Sequence, residues 1–234
     1  MTFTKRVVTG AVAAVCAWGV AGRADAAVLA TYTFDAGAPN QYVASNVNPF
    51  LTATEFATTD AFGTSGATRN IDPGAGKAGG NALKPQGVTV GTSGTNATAV
   101  TQNEFLSIVV SPAAGETLNL DTLTVDVKNP GGSTRGYFFR TSLDNFATDL
   151  APGFLEITGT SSYPASPTTF TFAGATNLTS DVTIRLYSYA KSSSTAEGLD
   201  FDNVTINGTV TPEPGTMALA GFAAAGLLGR RRRA

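Results

Sequence analysis

Through the middle of the chain, apolar residues fall in short runs or at every second position. No stretch there repeats them at the helical spacing of 3.6. Residues 181–189 alternate most cleanly. Val182, Ile184 and Leu186 fall on one face, and Thr183, Arg185, Tyr187 and Tyr189 on the other. Successive side chains of a strand point to opposite faces, so this segment predicts a strand with one buried side. Residues 105–110 form a continuous apolar run that stops at Ser111-Pro112. Residues 118–127 alternate, but the phase shifts between Leu120 and Leu123, which predicts a bulge or a short turn near Asp121. Residues 27–34, 137–143, 154–158, 168–172 and 199–210 read as further strands, with turn chemistry at 129–132, at Pro152-Gly153 and at 191–194. Many short strands separated by polar turns predict an all-β fold: a jelly-roll-like antiparallel β-sandwich over residues 27–210. Residues 60–101 are rich in Gly, Thr, Ser and Asn, and read as long loops with two edge strands or as a disordered insert.

The two ends break this pattern. Lys5 and Arg6 precede an apolar run over residues 7–20, and Ala24-Asp25-Ala26 supplies the small-x-small pattern that signal peptidase requires. Residues 1–26 therefore predict a secretory signal helix cut before Ala27. The run is short for a span, which disfavours an uncleaved anchor. Cys16 follows Val15 rather than a small residue, which disfavours a lipoprotein. At the other end stand Pro212-Glu213-Pro214, an apolar run over 216–229 and four arginines at 230–233. As a helix that run spans about 21 Å, against a hydrocarbon core of about 30 Å, and arginine side chains extend its reach. Arginines beside an apolar run stay on the cytoplasmic side, which predicts that the preceding domain lies outside.

This tail, residues 211–234, closely resembles the PEP-CTERM sorting signal: a Pro-Glu-Pro motif, a short transmembrane helix and a terminal basic cluster, in that order. The resemblance implies recognition by an exosortase, a membrane protease-transpeptidase that removes the tail, in Gram-negative bacteria that make exopolysaccharide. Pro212, Glu213 and Pro214 match the recognition motif and would be substrate positions, not catalytic ones. The middle of the chain resembles domains found ahead of such tails, through residues 140–146 (RTSLDNF), 183–187 (TIRLY) and 202–206 (DNVTI). That resemblance implies a jelly-roll-like fold and supplies no activity.

Charge and composition exclude several classes. Residues 27–210 hold eight basic and fifteen acidic residues, a net charge of about −7. Phosphate backbones need a basic footprint, so no nucleic-acid partner is expected. The chain has no histidine, which excludes His-based triads, His-ligated zinc and His general bases. Its single cysteine lies in the signal segment, so the domain folds without a disulfide, as a domain of this size can. Neither a Gly-x-Ser-x-Gly elbow nor a phosphate-binding loop ahead of a helix occurs.

Two constellations remain. In unbroken strand phase Asp200 and Asp202 share the face of Val204 and Ile206, which should be core. An ionised carboxylate there needs a pair or a metal. Asp35 closes the first strand. Jelly-roll carbohydrate-binding modules often hold a structural Ca²⁺ between first and last strands, so the resemblance makes Asp35 and Asp202 a candidate oxygen-ligand pair for Ca²⁺. The alternatives are that Asp202 bonds backbone amides, or that a bulge turns it outward. The second constellation is the stripe Arg185, Tyr187 and Tyr189, a candidate sugar-binding face if it is not simply sheet packing. The only tryptophan, Trp18, lies in the signal segment.

The sequence therefore predicts an exported, exosortase-processed cell-surface or extracellular-matrix protein, not an enzyme. Its sandwich would act in structure or adhesion, associated with exopolysaccharide or biofilm. Signal peptidase, exosortase and exopolysaccharide are the expected partners, with the inner membrane engaged transiently through the C-terminal helix. The alternative is a carbohydrate-binding module for exopolysaccharide, and behind it a polysaccharide hydrolase or lyase.

Overall fold

The computed structural model describes residues 27–38, 40–58, 69–86, 95–159, 162–191 and 198–213. The expected signal helix, Pro214 and the expected membrane helix lie outside the described residues. The alternating segments do form strands. They are β1 (Ala27–Tyr32), β2 (Asn46–Val47), β3 (Leu51–Ala53), β4 (Ala57–Thr58), β5 (Arg69–Asp72), β6 (Ala82–Pro85), β7 (Phe105–Pro112), β8 (Glu116–Lys128), β9 (Arg135–Thr141), β10 (Leu155–Ile157), β11 (Thr168–Thr171), β12 (Val182–Ala190) and β13 (Asp200–Pro212). Sheet A runs β11-β8-β13-β1-β2, with β6 also on β13 and β5 on β6. Sheet B runs β10-β9-β12-β7-β3, with β4 also on β7. Every pairing is antiparallel, so the chain is an antiparallel β-sandwich.

The core lies between the sheets. Sheet A contributes Leu29, Leu123, Val125, Phe170, Val204 and Ile206, and sheet B contributes Leu106, Ile108, Phe139, Ile184 and Leu186. These are the inward positions of the alternation, and burying each of the larger ones contributes about 1.5–3 kcal/mol.

Two bulges set which residues face outward. On β8, Thr122 pairs with Asn207 while Leu120 pairs with Gly208, so Asp121 is the extra residue. This accounts for the phase shift between Leu120 and Leu123, and the strand continues through it. On β13, Asp202 pairs with Asp126 and Thr205 with Thr124, so two residues oppose Val125 alone. Asn203 takes φ 49°, a left-handed conformation that asparagine tolerates. Phe201, Val204 and Ile206 all stay in the core as a result. Asp200 and Asp202 turn to the outer face of sheet A, away from Val204 and Ile206.

Within 60–101 two strands form: β5 is an edge strand paired with β6, but Leu83 of β6 also pairs with Phe201 of β13, so β6 is not an edge. A helix, α1 (Asn96–Thr101), was not expected there. Thr95 caps it by accepting from the Thr98 amide, and Ala99 is its only buried residue. Six residues with one buried position are too few to display a helical period. The helix packs across the outer face of sheet B, against β12 and β9.

Candidate functional site

Sheet A branches at the Asn203 bulge. Beyond it β13 pairs with β1, as Val204 does with Tyr32; before it Phe201 pairs with β6. The chain leaves β1 through Phe34, at φ 60°, and sets Asp35 at the branch. Residues 73–81, between β5 and β6, fold back over this point and supply amides. The Asn81 amide donates to Asp35 Oδ1 at 2.7 Å, and the Lys77 amide donates to Asp202 Oδ2 at 2.7 Å. Asp202 Oδ1 accepts from the Asn203 amide at 2.7 Å. Gly80 makes room for Asp35, since a Cβ there would run into the carboxylate.

Asp126 directly opposes Asp202 across the strands. Like charges in that position repel. Lys77 Nζ donates to Asp126 Oδ1 at 2.7 Å, and Asn203 Nδ2 to Oδ2 at 3.1 Å. Burial pushes the Asp202 carboxyl above its ordinary range. The Lys77 and Asn203 amides pull it back, and the charges of Asp35 and Asp126 add to the rise. Asp200, also buried, lies between Lys84 Nζ at 3.6 Å and Lys128 Nζ at 3.7 Å. Its carboxyl is raised by burial, which the attraction of Lys84 only partly offsets. Lys84 also pairs with Asp72 at 2.6 Å, and Lys128 donates to the Ala75 carbonyl at 2.6 Å beneath the Tyr163 ring.

Asp35 and Asp202 therefore meet at one place, where both accept hydrogen bonds from backbone amides. Among the described residues no three His, Cys, Asp or Glu side chains are grouped to hold a metal ion. The two carboxylates face amide hydrogens, and the cation at the neighbouring Asp126 is the Lys77 ammonium. Both alternatives to calcium occur together: a bulge turns Asp202 outward, and backbone amides bind it. Sequence reasoning missed Lys77, Asp126, Lys84, Lys128 and Asp72. The available signal was a lone lysine within a stretch, 73–81, built otherwise from Pro, Gly, Ala and Asn.

The outer face of sheet B corrects the second constellation. Tyr187 and Tyr189 are each 1% exposed and cannot serve as an open sugar-stacking surface. With Ala99, Phe105 and Phe138 they form a second hydrophobic cluster beneath α1. Phe138 and Tyr187 stack with centroids 4.8 Å apart and planes 1° apart, an arrangement worth about 0.5–1.5 kcal/mol beyond burial. Tyr189 lies over Gly136, where a Cβ would collide with its ring, and its hydroxyl donates to Glu156 Oε1 at 2.8 Å. The stripe is packing because a helix covers it.

Arg185 behaves differently. It is half-buried beyond the helix, with its guanidinium carbon 3.9 Å from the Phe105 ring centroid and 3.5 Å from that of Phe146. Its register partners are Ser107 on β7 and Arg140 on β9. Arg140 is neutralised by Asp149 at 2.6 Å and donates to the Phe146 carbonyl at 2.9 Å.

The exit of the sandwich is equally defined. β13 runs to Pro212, which pairs with Glu116, and the Glu213 amide donates to the Gly115 carbonyl at 2.9 Å. The first two residues of the Pro-Glu-Pro motif are thus tied to the end of sheet A. Among the described residues no helix is long and apolar enough to cross a membrane.

The class defined so far is an all-β sandwich whose last strand runs into a C-terminal motif. Residues 210–233 match the PEP-CTERM protein-sorting motif, so the chain carries that motif. The motif implies an exported, cell-surface protein targeted to an exosortase. No curated protein matches the chain. Among solved structures, TmCBM61 in complex with β-1,4-galactotriose is similar at a TM-score of 0.31 and 10% identity, covering 66% of this chain and 93% of that one. A likeness of that size carries no argument about site or ligand.

Proposed function

We propose that this chain is exported by its N-terminal signal and processed by an exosortase to the cell surface or extracellular matrix. There its jelly-roll-like sandwich serves a non-catalytic structural or adhesive role beside exopolysaccharide. One observation carries the reading: the sorting motif begins where β13 ends, so the delivery signal and the folded domain are contiguous. The non-catalytic part is supported by the state of the three carboxylates at the branch of sheet A. Asp35, Asp126 and Asp202 are bound by amides and by Lys77. A hydrolytic pair needs one carboxyl free to protonate a leaving group and another free to attack or to activate water. The carbohydrate-binding alternative loses its tyrosine stripe to the cluster beneath α1.

Mass spectrometry of the protein from cells and from medium tests the delivery. The expected mature chain starts at Ala27 and lacks the arginines at 230–233. A mature chain that keeps those arginines overturns exosortase processing. A screen for reducing-sugar release or unsaturated sugar product on polysaccharides should be blank, and a turnover signal would overturn the non-catalytic role.

A further inference from the structure

Residues 27–210 place fifteen acidic side chains around eight basic ones, so a cation there readily finds a carboxylate. Arg69, Lys77, Lys84, Lys128, Arg140 and Lys191 each do so, at 2.5 to 3.7 Å. Arg135 is buried and donates to the Gly198 carbonyl at 2.7 Å. Arg185 has no ion pair among the described residues. Its Nε is buried without a hydrogen-bond partner, and its Nη1 makes only a long 3.4 Å contact with the Tyr187 hydroxyl.

Its surroundings hold it in place without neutralising it. Phe105 and Phe146 each bring a ring centroid within 4 Å of the guanidinium carbon. Arg140, opposite in register, adds a like charge, and Asp149 cancels only one of the two. Phe146 reaches this position through two consecutive left-handed residues, Asn145 at φ 57° and Phe146 itself at φ 60°. That conformation is unfavourable for an aromatic side chain and marks positions held by their surroundings. Nε is buried, so the end of the guanidinium that carries Nη1 and Nη2 is the edge left to grip a planar carboxylate through two parallel hydrogen bonds.

We propose that Arg185, packed against Phe105 and Phe146, recognises the carboxylate of an acidic polysaccharide. One uncancelled charge suits one carboxylate at a time. The net negative charge of the domain repels densely charged polyphosphate or nucleic acid, which favours a sugar acid. This rests on the surface location proposed above only for where such a polymer is met. Tail processing is measured separately, so either reading can fail alone.

The test is isothermal titration of the purified protein with trigalacturonate, with its methyl ester and with tripolyphosphate. The acid should bind, the ester should bind at least ~10-fold more weakly, and tripolyphosphate should bind no tighter than the acid. Arg185→Gln should weaken the acid by ~10-fold or more, and Arg185→Lys should also weaken it, because an ammonium cannot form the fork. Phe146→Leu should weaken it several-fold with the unfolding midpoint little changed. Absence of binding by the acid, equal binding of acid and ester, tighter binding of tripolyphosphate, or unchanged affinity in Arg185→Gln would each overturn the proposal. If Arg185→Gln does not fold, the acid-versus-ester comparison on the unaltered protein and the Arg185→Lys variant still decide.

Discussion

Asp126 and Asp202 face each other across β8 and β13, on the outer side of sheet A. Arg140 and Arg185 face each other across β9 and β12, on the outer side of sheet B. Both are like-charge pairs in direct register, which a sheet tolerates only with compensation. On sheet A the chain supplies all of it: the Lys77 ammonium, the Asn203 amide group and two backbone amides. On sheet B one carboxylate, Asp149, pairs with Arg140 alone, and aromatic rings hold Arg185. A closed pair of this kind contributes to the fold. An open one leaves charge for an outside partner. The difference separates a structural polar cluster from a binding candidate, even though both consist of conspicuous charged residues.

The contrast breaks most visibly at Lys77. Lys77→Met removes the cation while Asp126, 6% exposed at its side chain, stays opposite Asp202. Stranding a buried charge costs about 3 kcal/mol, to be read from urea denaturation. Adding Asp126→Asn to Lys77→Met should recover most of that loss, because the variant then buries no uncompensated carboxylate. A loss below ~0.5 kcal/mol for Lys77→Met would mean that the loop amides alone hold the pair. On the other sheet, Asp149→Asn keeps an acceptor for Arg140 but leaves two uncancelled arginines. The expected loss is about 1 kcal/mol, and salt should shrink it if the arginines are reached by solvent. An unchanged loss in high salt would place the arginine pair in a closed environment, like its counterpart.

Much of this fold was legible in the sequence, and the exceptions have physical causes. The 181–189 alternation marked β12 because one of its faces is core, and the Leu120/Leu123 phase shift marked the Asp121 bulge. The Asn203 bulge left no such trace. Asp202 and Val204 look like neighbours on one face until a left-handed residue shifts the phase between them. Tyr187 and Tyr189 read as an outward stripe, and outward of the main core they are. Only α1, with a single buried residue, turns that outer face into a second core. Lys77 was illegible because its role depends on a long loop returning to a strand more than a hundred residues away in the chain. Recognition of the tail succeeded for the opposite reason: a sorting signal is read as contiguous sequence.

Acidity sharpens the comparison further, with a smaller effect. Burial raises the Asp200 and Asp202 carboxyls above the ordinary 3.8, so the folded state binds their protons more tightly than the unfolded chain. Their contribution to stability is therefore fullest below that value and is lost as pH rises through the raised folded values. Glu156, lowered chiefly by its bond from Lys191, has the opposite sign: its contribution is present above 4.5 and lost as pH falls. Asp202→Asn removes only the Asp202 share of the first component. The midpoint of the variant relative to the parent should accordingly be higher at about pH 7 than at about pH 4. A difference that stays flat would mean that Asp202 titrates alike in both states, and so is not buried as described.

The smallest expected effect is none at all, and it bears directly on the closed pair. Calcium between Asp35 and Asp202 requires carboxylate oxygens free to coordinate at about 2.4 Å. Here Asp35 Oδ1 accepts from Asn81, and both oxygens of Asp202 accept from amides. A bound cation would compete with these amides and lie close to the Lys77 ammonium, an electrostatic conflict. EDTA should therefore leave the thermal midpoint unchanged, and millimolar calcium should not raise it. A calcium-dependent rise that disappears in Asp35→Asn would show that the loop opens and that a metal replaces its amides. The pair on sheet A would then be an exchangeable site, and the distinction from the arginine pair would rest on ligand charge alone.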